Sequence, residues 1–472
     1  MLVVLITLLA FALRIYHLDA RTLFGDEYNS LLEAASVGRN PQSLLYFGAL
    51  HFWLLLGSAD FWVRFPSVIF GVIAIPAGYQ FGRRMFGRTT GLMLALLLAV
   101  SSFAIQYSQT TRFYSLFLST STLSLAAFSA LYRNPRSRKH WLHWAVTGLL
   151  VIFSHLFGIL VPLLELAAGW ITWGNPNKRP IRAIVSVTAL TTLVAVAPLL
   201  ANSTTVDLFR HLFASYATPI SLASRGLSVA NLVKIPLTVF FFSLGEGVYP
   251  LGLPFSLLGA AAVGAAILAG LFQFKSHRFA FGLVLLQLAP LALVYLALDP
   301  AAPSLSDTAA PRHLMMVLPA FLALVAVGLQ ARPALLLRAG VGLTLIFSLA
   351  QYYRGDWNYE LPVGLNMQQV VLGLNAERSP GSILLYDGRS ADMLDRYLGA
   401  AENKQSFWPY LESGDLRGLS RSSQVLLVVN ASQPQQRADF NRFLRLLGTD
   451  YVLRSAFSPR ATCCIFSPTG SS

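Results

Sequence analysis

Two adjacent carboxylates, Asp26 and Glu27, follow the first apolar stretch of the chain in the run LFGDEYNS (23–30). Other groups capable of acid, base or anion chemistry stand in comparable places: Arg64, Arg112 in YSQTTRFYS, His155, Glu246 and Arg312 each lie near the end of another apolar run. A carboxylate can accept a proton, and a guanidinium can grip an anion with two parallel N–H groups. Asp26 can equally cap the segment EYNSLLEAASVG, because the unpaired amides and the dipole of a helix N-terminus favour acidic residues. Company separates the two readings. Ionisable side chains at membrane depth are expensive, and several at one face mark a site.

The elements that must position these residues are membrane helices. Of the 472 residues 55% are hydrophobic and only 12% charged, and the mean hydropathy is +0.58. That is too little charge to coat a soluble globule of this length. Apolar runs of roughly 17 to 25 residues recur, long enough to cross about 30 Å of hydrocarbon, and they do not alternate as barrel strands do. The pattern predicts about eleven spans, near 1–17, 63–82, 89–107, 112–131, 141–155, 156–173, 182–201, 250–273, 279–298, 313–330 and 336–352.

The formal charge of +14 belongs to the junctions between these spans. Every second junction is basic and free of Asp and Glu: Arg83, Arg84 and Arg88; Arg133, Arg136, Arg138 and Lys139; Lys178, Arg179 and Arg182; Lys275 and Arg278; Arg332 and Arg338. Cytoplasmic loops retain Lys and Arg, so the alternation predicts a cytoplasmic N-terminus and, with an odd number of spans, an outer C-terminus. No basic groove with interleaved aromatics accompanies the charge, which argues against nucleic acid as a partner. The opening MLVVLITLLAFALRIYHL lacks a basic start and a small-residue cleavage site, and reads as a retained first span. Cys463 and Cys464 match no metal or redox spacing.

Two domains are predicted: a membrane module over 1–353 and an extracytoplasmic α/β domain over 354–472. The module includes a first outer loop at 18–62 and a long outer loop at 202–249, whose IPLTVFFFSLGEGVYPL portion is apolar enough to return toward the bilayer. In the C-terminal domain GSILLYDG and QVLLVVN read as buried strands, each followed by a helical segment, SADMLDRYL and QQRADFNRFLRLL.

The run FWVRFPSVIFGVIAIPAGYQFGRRMFGRTTGLMLALLLAVSSFAIQYSQTTRFYSL resembles the polytopic GT-C glycosyltransferases that use polyprenyl-phosphate sugars, and within them the bacterial protein-mannosyltransferase-like (ArnT/RgtA-like) branch. The motifs are the Asp-Glu pair after span one, R-[FL]-P-S entering span two, G-R-R-x-F-G behind it and Y-S-Q-x-x-R-x-Y; weaker echoes occur around His155 and Arg312. The chain departs from many relatives at Gln42, Ser43 and Leu44, where they have His-Pro-Pro, and at Thr110, where they have Glu.

The resemblance implies a GT-C-type helical membrane enzyme of the bacterial cytoplasmic membrane. It would transfer a sugar from a polyprenyl-phosphate donor to a protein, glycolipid or polysaccharide acceptor at the outer face. Asp26 is then the general base for the acceptor hydroxyl in an inverting displacement, and Glu27 a supporting charge or a contact for a divalent metal. No cofactor is assigned, and one carboxylate pair is weak ground for a divalent metal. The departing phosphate calls for fixed cations, and Arg112 and Arg312 are the candidates, with snorkelling or structural pairing as their alternative. Tyr114 lines the donor pocket or an interfacial belt, His155 touches the sugar or bonds across helices, and Glu246 joins the site if its loop enters the cavity. The competing function is a transporter or lipid flippase, for which paired repeats with broken helices and midplane charges are expected.

Overall fold

The structure, a computed structural model, describes residues 1–21, 23, 25–36, 44–172, 229–250, 254–273, 277–293, 311–331 and 334–355, and beyond these 371, 375–376, 382–386, 396, 404–414, 416, 419, 424–429, 434–448, 451–456 and 462–468. The chain divides into two compact units, one of Met1–Leu18 with Ser30–Arg354 and one of Asp19–Asn29 with Gly355–Ser472. The second unit thus takes in part of the segment predicted as the first outer loop, including the Asp-Glu pair.

The larger unit is helical. Its elements are α1 (Leu2–Ile15), the body of α2 (Gly25–Ala35), α3 (Leu44–Leu54), α4 (Asp60–Phe86), α5 (Arg88–Val100), α6 (Ser102–Ser108), α7 (Tyr114–Arg133), α8 (Arg138–Ser154) and α9 (Leu160–Thr172). These are followed by α10 (Val229–Leu244), α11 (Phe255–Leu271), α12 (Arg278–Leu293), α13 (Leu318–Gly328) and α14 (Ala334–Arg354), with 3-10 turns at Leu156–Ile159 and Pro311–Val317. Among the described residues four helices are long and apolar enough to cross a membrane, or five if the bent pair α5–α6 is one span. Six shorter apolar helices accompany them. The predicted span at 182–201 lies outside the described residues, and the predicted long loop at 202–249 contains an apolar helix, α10.

Helix α7 is almost wholly buried and packs along α4 and α8. Its Ser and Thr side chains let it do so. Thr120 and Thr122 return their hydroxyls to the carbonyls of Leu116 and Leu118 at 2.8 and 2.6 Å, which satisfies them within the helix and leaves a slim surface for close packing. The G-R-R-x-F-G motif is the corner between α4 and α5. A Cβ on Gly82 would come within 2.8 Å of Gly91 Cα, so two backbones touch there. Arg84 Nη1 donates to Ala126 O at 2.8 Å, and Arg133 Nε donates to Arg84 O at 2.9 Å, tying the corner to the end of α7.

In the second unit a five-stranded sheet has the order β2-β1-β3-β5-β4, with β1 Ile383–Tyr386, β2 Lys404–Ser406, β3 Val425–Val429, β4 Tyr451–Ala456 and β5 Thr462–Pro468. β1 runs parallel to β2 and β3, whereas β5 is antiparallel to β3 and β4. The predicted strands are β1 and β3, and the helix after β3 is α16 (Pro434–Leu447), preceded by α15 (Trp408–Ser413). The helix expected after β1 lies outside the described residues except at Arg396. Alternation places Ile383, Leu385, Val425 and Leu427 on one face, where they form a core with Phe407, Leu411, Leu419, Phe443 and Leu447. Cys463 and Cys464 fall in β5, opposite Val428 and Leu427.

Candidate functional site

Helices α5 and α6 meet at a 56° bend. Ser101 makes the break, its side chain accepting from the Ala104 amide at 3.2 Å to start α6. After α6 the chain turns through Gln109–Phe113 and enters α7 at Tyr114, so the Y-S-Q-x-x-R-x-Y motif is a helix end, a turn and a helix start. The turn is pinned. Ser67 Oγ donates to Arg112 O at 3.4 Å and meets Tyr46 Oη at 2.9 Å, while Thr110 Oγ1 donates to Gln106 O at 2.9 Å.

At its apex Arg112 lays its guanidinium over two rings, with Cζ 4.8 Å from the Phe113 centroid and 5.8 Å from that of Tyr114. Arg112 Nη1 also donates to Ser30 Oγ at 3.3 Å. Arg312, delivered by the 3-10 turn Pro311–Val317, brings its Cζ to 5.8 Å from the same Tyr114 ring. The aromatic face stabilises each cation. Tyr114 is therefore the meeting point of the two arginines proposed from sequence. Its hydroxyl is buried and has no hydrogen-bond partner among the described residues.

His155 joins the same cluster by way of the neighbouring His313. It ends α8 in extended backbone, stacks on Phe117 with centroids 4.5 Å apart, and accepts the Phe157 amide on Nδ1 at 3.0 Å. Its Nε2 lies 3.1 Å from His313 Nδ1. With Nδ1 an acceptor, a neutral His155 carries its proton on Nε2 and donates it to His313, which then holds its own proton on Nε2. The His313 ring in turn meets Tyr114 edge-on at 5.5 Å. His155 thus has both ring nitrogens engaged within the protein, which favours the cross-helix role. His313 was not singled out in the sequence, although it stands beside Arg312.

Glu246 is fully buried beyond the end of α10. It accepts from Tyr107 Oη at 2.9 Å on both oxygens and from Gln106 Nε2 at 2.5 Å. Tyr107 packs edge-on against Tyr114 with centroids 5.2 Å apart. Glu246 is therefore one layer behind Tyr114, holding the side chain that holds it. Gly245 makes this loop possible: its φ is +76°, and a Cβ there would overlap Ser102 Oγ.

Arg64 is buried and donates to Leu18 O at 2.9 Å, so it anchors the chain just beyond α1. Asp26 and Glu27 occupy the first turn of α2, where the carboxylates complement the helix dipole. They belong to the second unit, with Glu27 buried and Asp26 partly exposed. Among the described residues no group of three or more His, Cys, Asp or Glu side chains is placed to hold a metal ion.

Residues 41–201 match the family described as dolichyl-phosphate-mannose-protein mannosyltransferase. No curated protein matches the sequence. Among solved structures, the fold is similar to that of ArnT from Cupriavidus metallidurans bound to undecaprenyl phosphate, at 14% identity and a TM-score of 0.55 over 99% of this chain and 98% of that one. The apo form of the same protein gives 13% and 0.57 over 98% and 97%. The oligosaccharyltransferase AglB from Archaeoglobus fulgidus, in complex with an inhibitory peptide and a dolichol-phosphate, gives 13% and 0.55 over 100% of this chain and 74% of that one. At such identities the likeness is one of fold.

Proposed function

We propose that this chain, a polytopic membrane protein with the GT-C fold, is a glycosyltransferase that moves one sugar from a polyprenyl-phosphate donor to an acceptor at the outer face of the cytoplasmic membrane. The observation that carries the reading is the convergence of Arg112 and Arg312 on the Tyr114 ring. Two guanidinium groups brought to one aromatic side chain by segments distant in sequence form a positive pole suited to a phosphate. The family match at 41–201 covers Arg112 and Tyr114, and the ArnT and AglB structures, which hold undecaprenyl phosphate and dolichol-phosphate, support the same donor class.

In this reading the arginines neutralise the charge that develops on the phosphate as the bond to sugar C1 breaks. Asp26 is assigned as the base that takes the proton of the attacking hydroxyl, and a direct displacement inverts the anomeric centre. Glu27 supports the charge of the acidic turn. Tyr107 and Glu246 hold Tyr114 in place, and His155 acts with His313 on the other side of that ring. The acceptor peptide tethered to the Archaeoglobus fulgidus oligosaccharyltransferase favours a protein among the acceptor classes.

Purified protein in lipid discs, given a labelled polyprenyl-phosphate sugar and envelope extract, should release bare polyprenyl phosphate in step with label appearing on an acceptor. A transporter would leave the lipid-linked sugar intact. Substitution at the positive pole gives the second check. Removing one partner of a desolvated charge pair costs about 2–5 kcal/mol, against roughly 0–1 for an exposed one. Arg112→Ala and Arg312→Ala should therefore weaken binding of both the donor and bare polyprenyl phosphate by the larger amount, with Lys intermediate. Unchanged affinity for both lipids in both Ala variants would overturn the assignment of the phosphate.

A further inference from the structure

We infer that Arg14, in the last turn of α1, is a positioning residue: it fixes the bend between α5 and α6 and thereby sets where Arg112 and Tyr114 stand. The functional half of this inference rests on the donor reading above. Arg14 is fully buried. Its Nη2 donates to Leu98 O at 3.0 Å and its Nη1 to Ala99 O at 3.0 Å, while Nε donates to Ser108 Oγ at 3.1 Å.

Arg14 Nη1 also donates to Ala10 O at 3.2 Å within α1, and the three acceptors outside α1 lie on both sides of the break. In an unbroken helix the Leu98 and Ala99 carbonyls would receive the amides of Ser102 and Phe103. Those amides open α6 and have turned away through 56°. The break therefore leaves two carbonyls of α5 without their helical donors, in the buried interior of the helical unit, where Leu98 and Ala99 are closed off from solvent. The Arg14 fork supplies the donors and sets a positive charge at the C-terminal end of the α5 dipole. Its third N–H reaches the last residue of α6. The Ser108 hydroxyl accepts there and donates onward to Ala104 O at 2.7 Å, so the bond has a defined direction.

The tie is reciprocal. Gln109 Nε2, from the residue after Ser108, donates to the carbonyls of Arg14 and Tyr16 at 3.0 and 2.7 Å, and so closes the end of α1. Tyr352 Oη donates to Gln109 Oε1 at 2.5 Å and adds α14 to the joint. Gly71 of α4 leaves the room required, because a Cβ there would overlap Ser108 Oγ and lie 2.9 Å from Arg14 Nε. Ser108 and Gln109, two of the motif's polar residues, thus serve the joint, while Arg112 and Tyr114, three and five residues beyond Gln109, receive the position it sets. Lysine cannot substitute. Its single ammonium lacks the planar fork that spans two carbonyls and a hydroxyl.

The test uses the full-length protein in lipid discs as wild type, Arg14→Lys and Ser108→Ala, the last removing only the Nε acceptor. Amide hydrogen exchange and affinity for bare undecaprenyl phosphate are measured on each. In Arg14→Lys, exchange should accelerate across residues 102–114 and stay unchanged across 66–80, with affinity falling about tenfold or more, as expected when a displaced scaffold moves a binding group. Ser108→Ala should shift both readouts the same way by less. Exchange that is unchanged at 102–114, or faster evenly through the helical unit, overturns the inference, as does full affinity in Arg14→Lys. Wild-type protein that binds no undecaprenyl phosphate overturns the donor reading, and the exchange pattern then decides the part of Arg14 by itself.

Discussion

Asp26→Asn keeps the size and much of the hydrogen bonding of the acidic turn while removing its capacity to accept a proton. Sugar transfer should fall by about 10²-fold or more if Asp26 is the base, with affinity for the donor retained. Transfer at the wild-type rate would refute the assignment. Tyr114→Phe asks a different question, since the hydroxyl it deletes is buried with no hydrogen-bond partner among the described residues. Deleting it should leave thermal stability unchanged or slightly raised, because an unsatisfied buried hydroxyl costs about 1–3 kcal/mol. If the hydroxyl serves the donor phosphate, affinity for polyprenyl phosphate should drop several-fold in the same variant, and equal affinity would remove Tyr114 Oη from the donor site. Asp26, Arg112 and Arg312 could be listed as candidates from the sequence because a charge at the end of an apolar run needs an explanation. His313 was hidden by Arg312 beside it, and Arg14, in the last turn of α1, reads as an ordinary basic helix end.

The bend between α5 and α6 explains why the motif residues are where they are. Periodicity marks 89–107 as one apolar run, but it cannot show that Ser101 caps a second, re-aimed helix. The loop that carries Glu246 has a similar dependence on one backbone position. Gly245 combines a φ of +76° with a neighbour, Ser102 Oγ, that a Cβ would overlap, and Ser102 and Ser348 both donate to Leu244 O there. Gly245→Ala should therefore destabilise the protein by more than the roughly 1–2 kcal/mol of left-handed strain alone. It should also weaken donor binding by loosening Glu246 from Tyr107. Thermal unfolding in lipid discs, together with polyprenyl phosphate affinity, measures both. Wild-type values in both would mean that the loop does not support Tyr114.

The assembled protein is predicted to be oriented by its basic junctions, with the N-terminus and Ser137 cytoplasmic and residues 354–472 outside. In a background with Cys463→Ser and Cys464→Ser, cysteines placed at 137 and 422 should differ in labelling by a membrane-impermeant thiol reagent added from outside. Residue 422 should react in intact cells and residue 137 only after lysis. Equal labelling in intact cells would overturn the orientation and with it the outer placement of the reaction. The second unit has a core of its own, centred on β1 and β3. Phe443 is fully buried there, and Phe443→Ala should destabilise that unit by about 3–5 kcal/mol. A protease-sensitivity assay should show the loss beyond residue 354 before the helical unit opens.

Composition and spacing by themselves determined the solvent of this protein, the class of its elements and the first list of charged candidates. Each of these follows from transfer free energy, which is a property of a segment and needs no partner. The two strands β1 and β3 were legible for the same reason, as short apolar runs between turn signals. What the tertiary structure decided is which groups meet. Glu246 and Tyr107 are 139 residues apart, His155 and His313 are 158 apart, and Arg14 and Ser108 are 94 apart. No local pattern encodes those pairings. They arise because a buried polar group must find a donor or acceptor somewhere in the fold, and only the packing of helices against one another determines which one it finds.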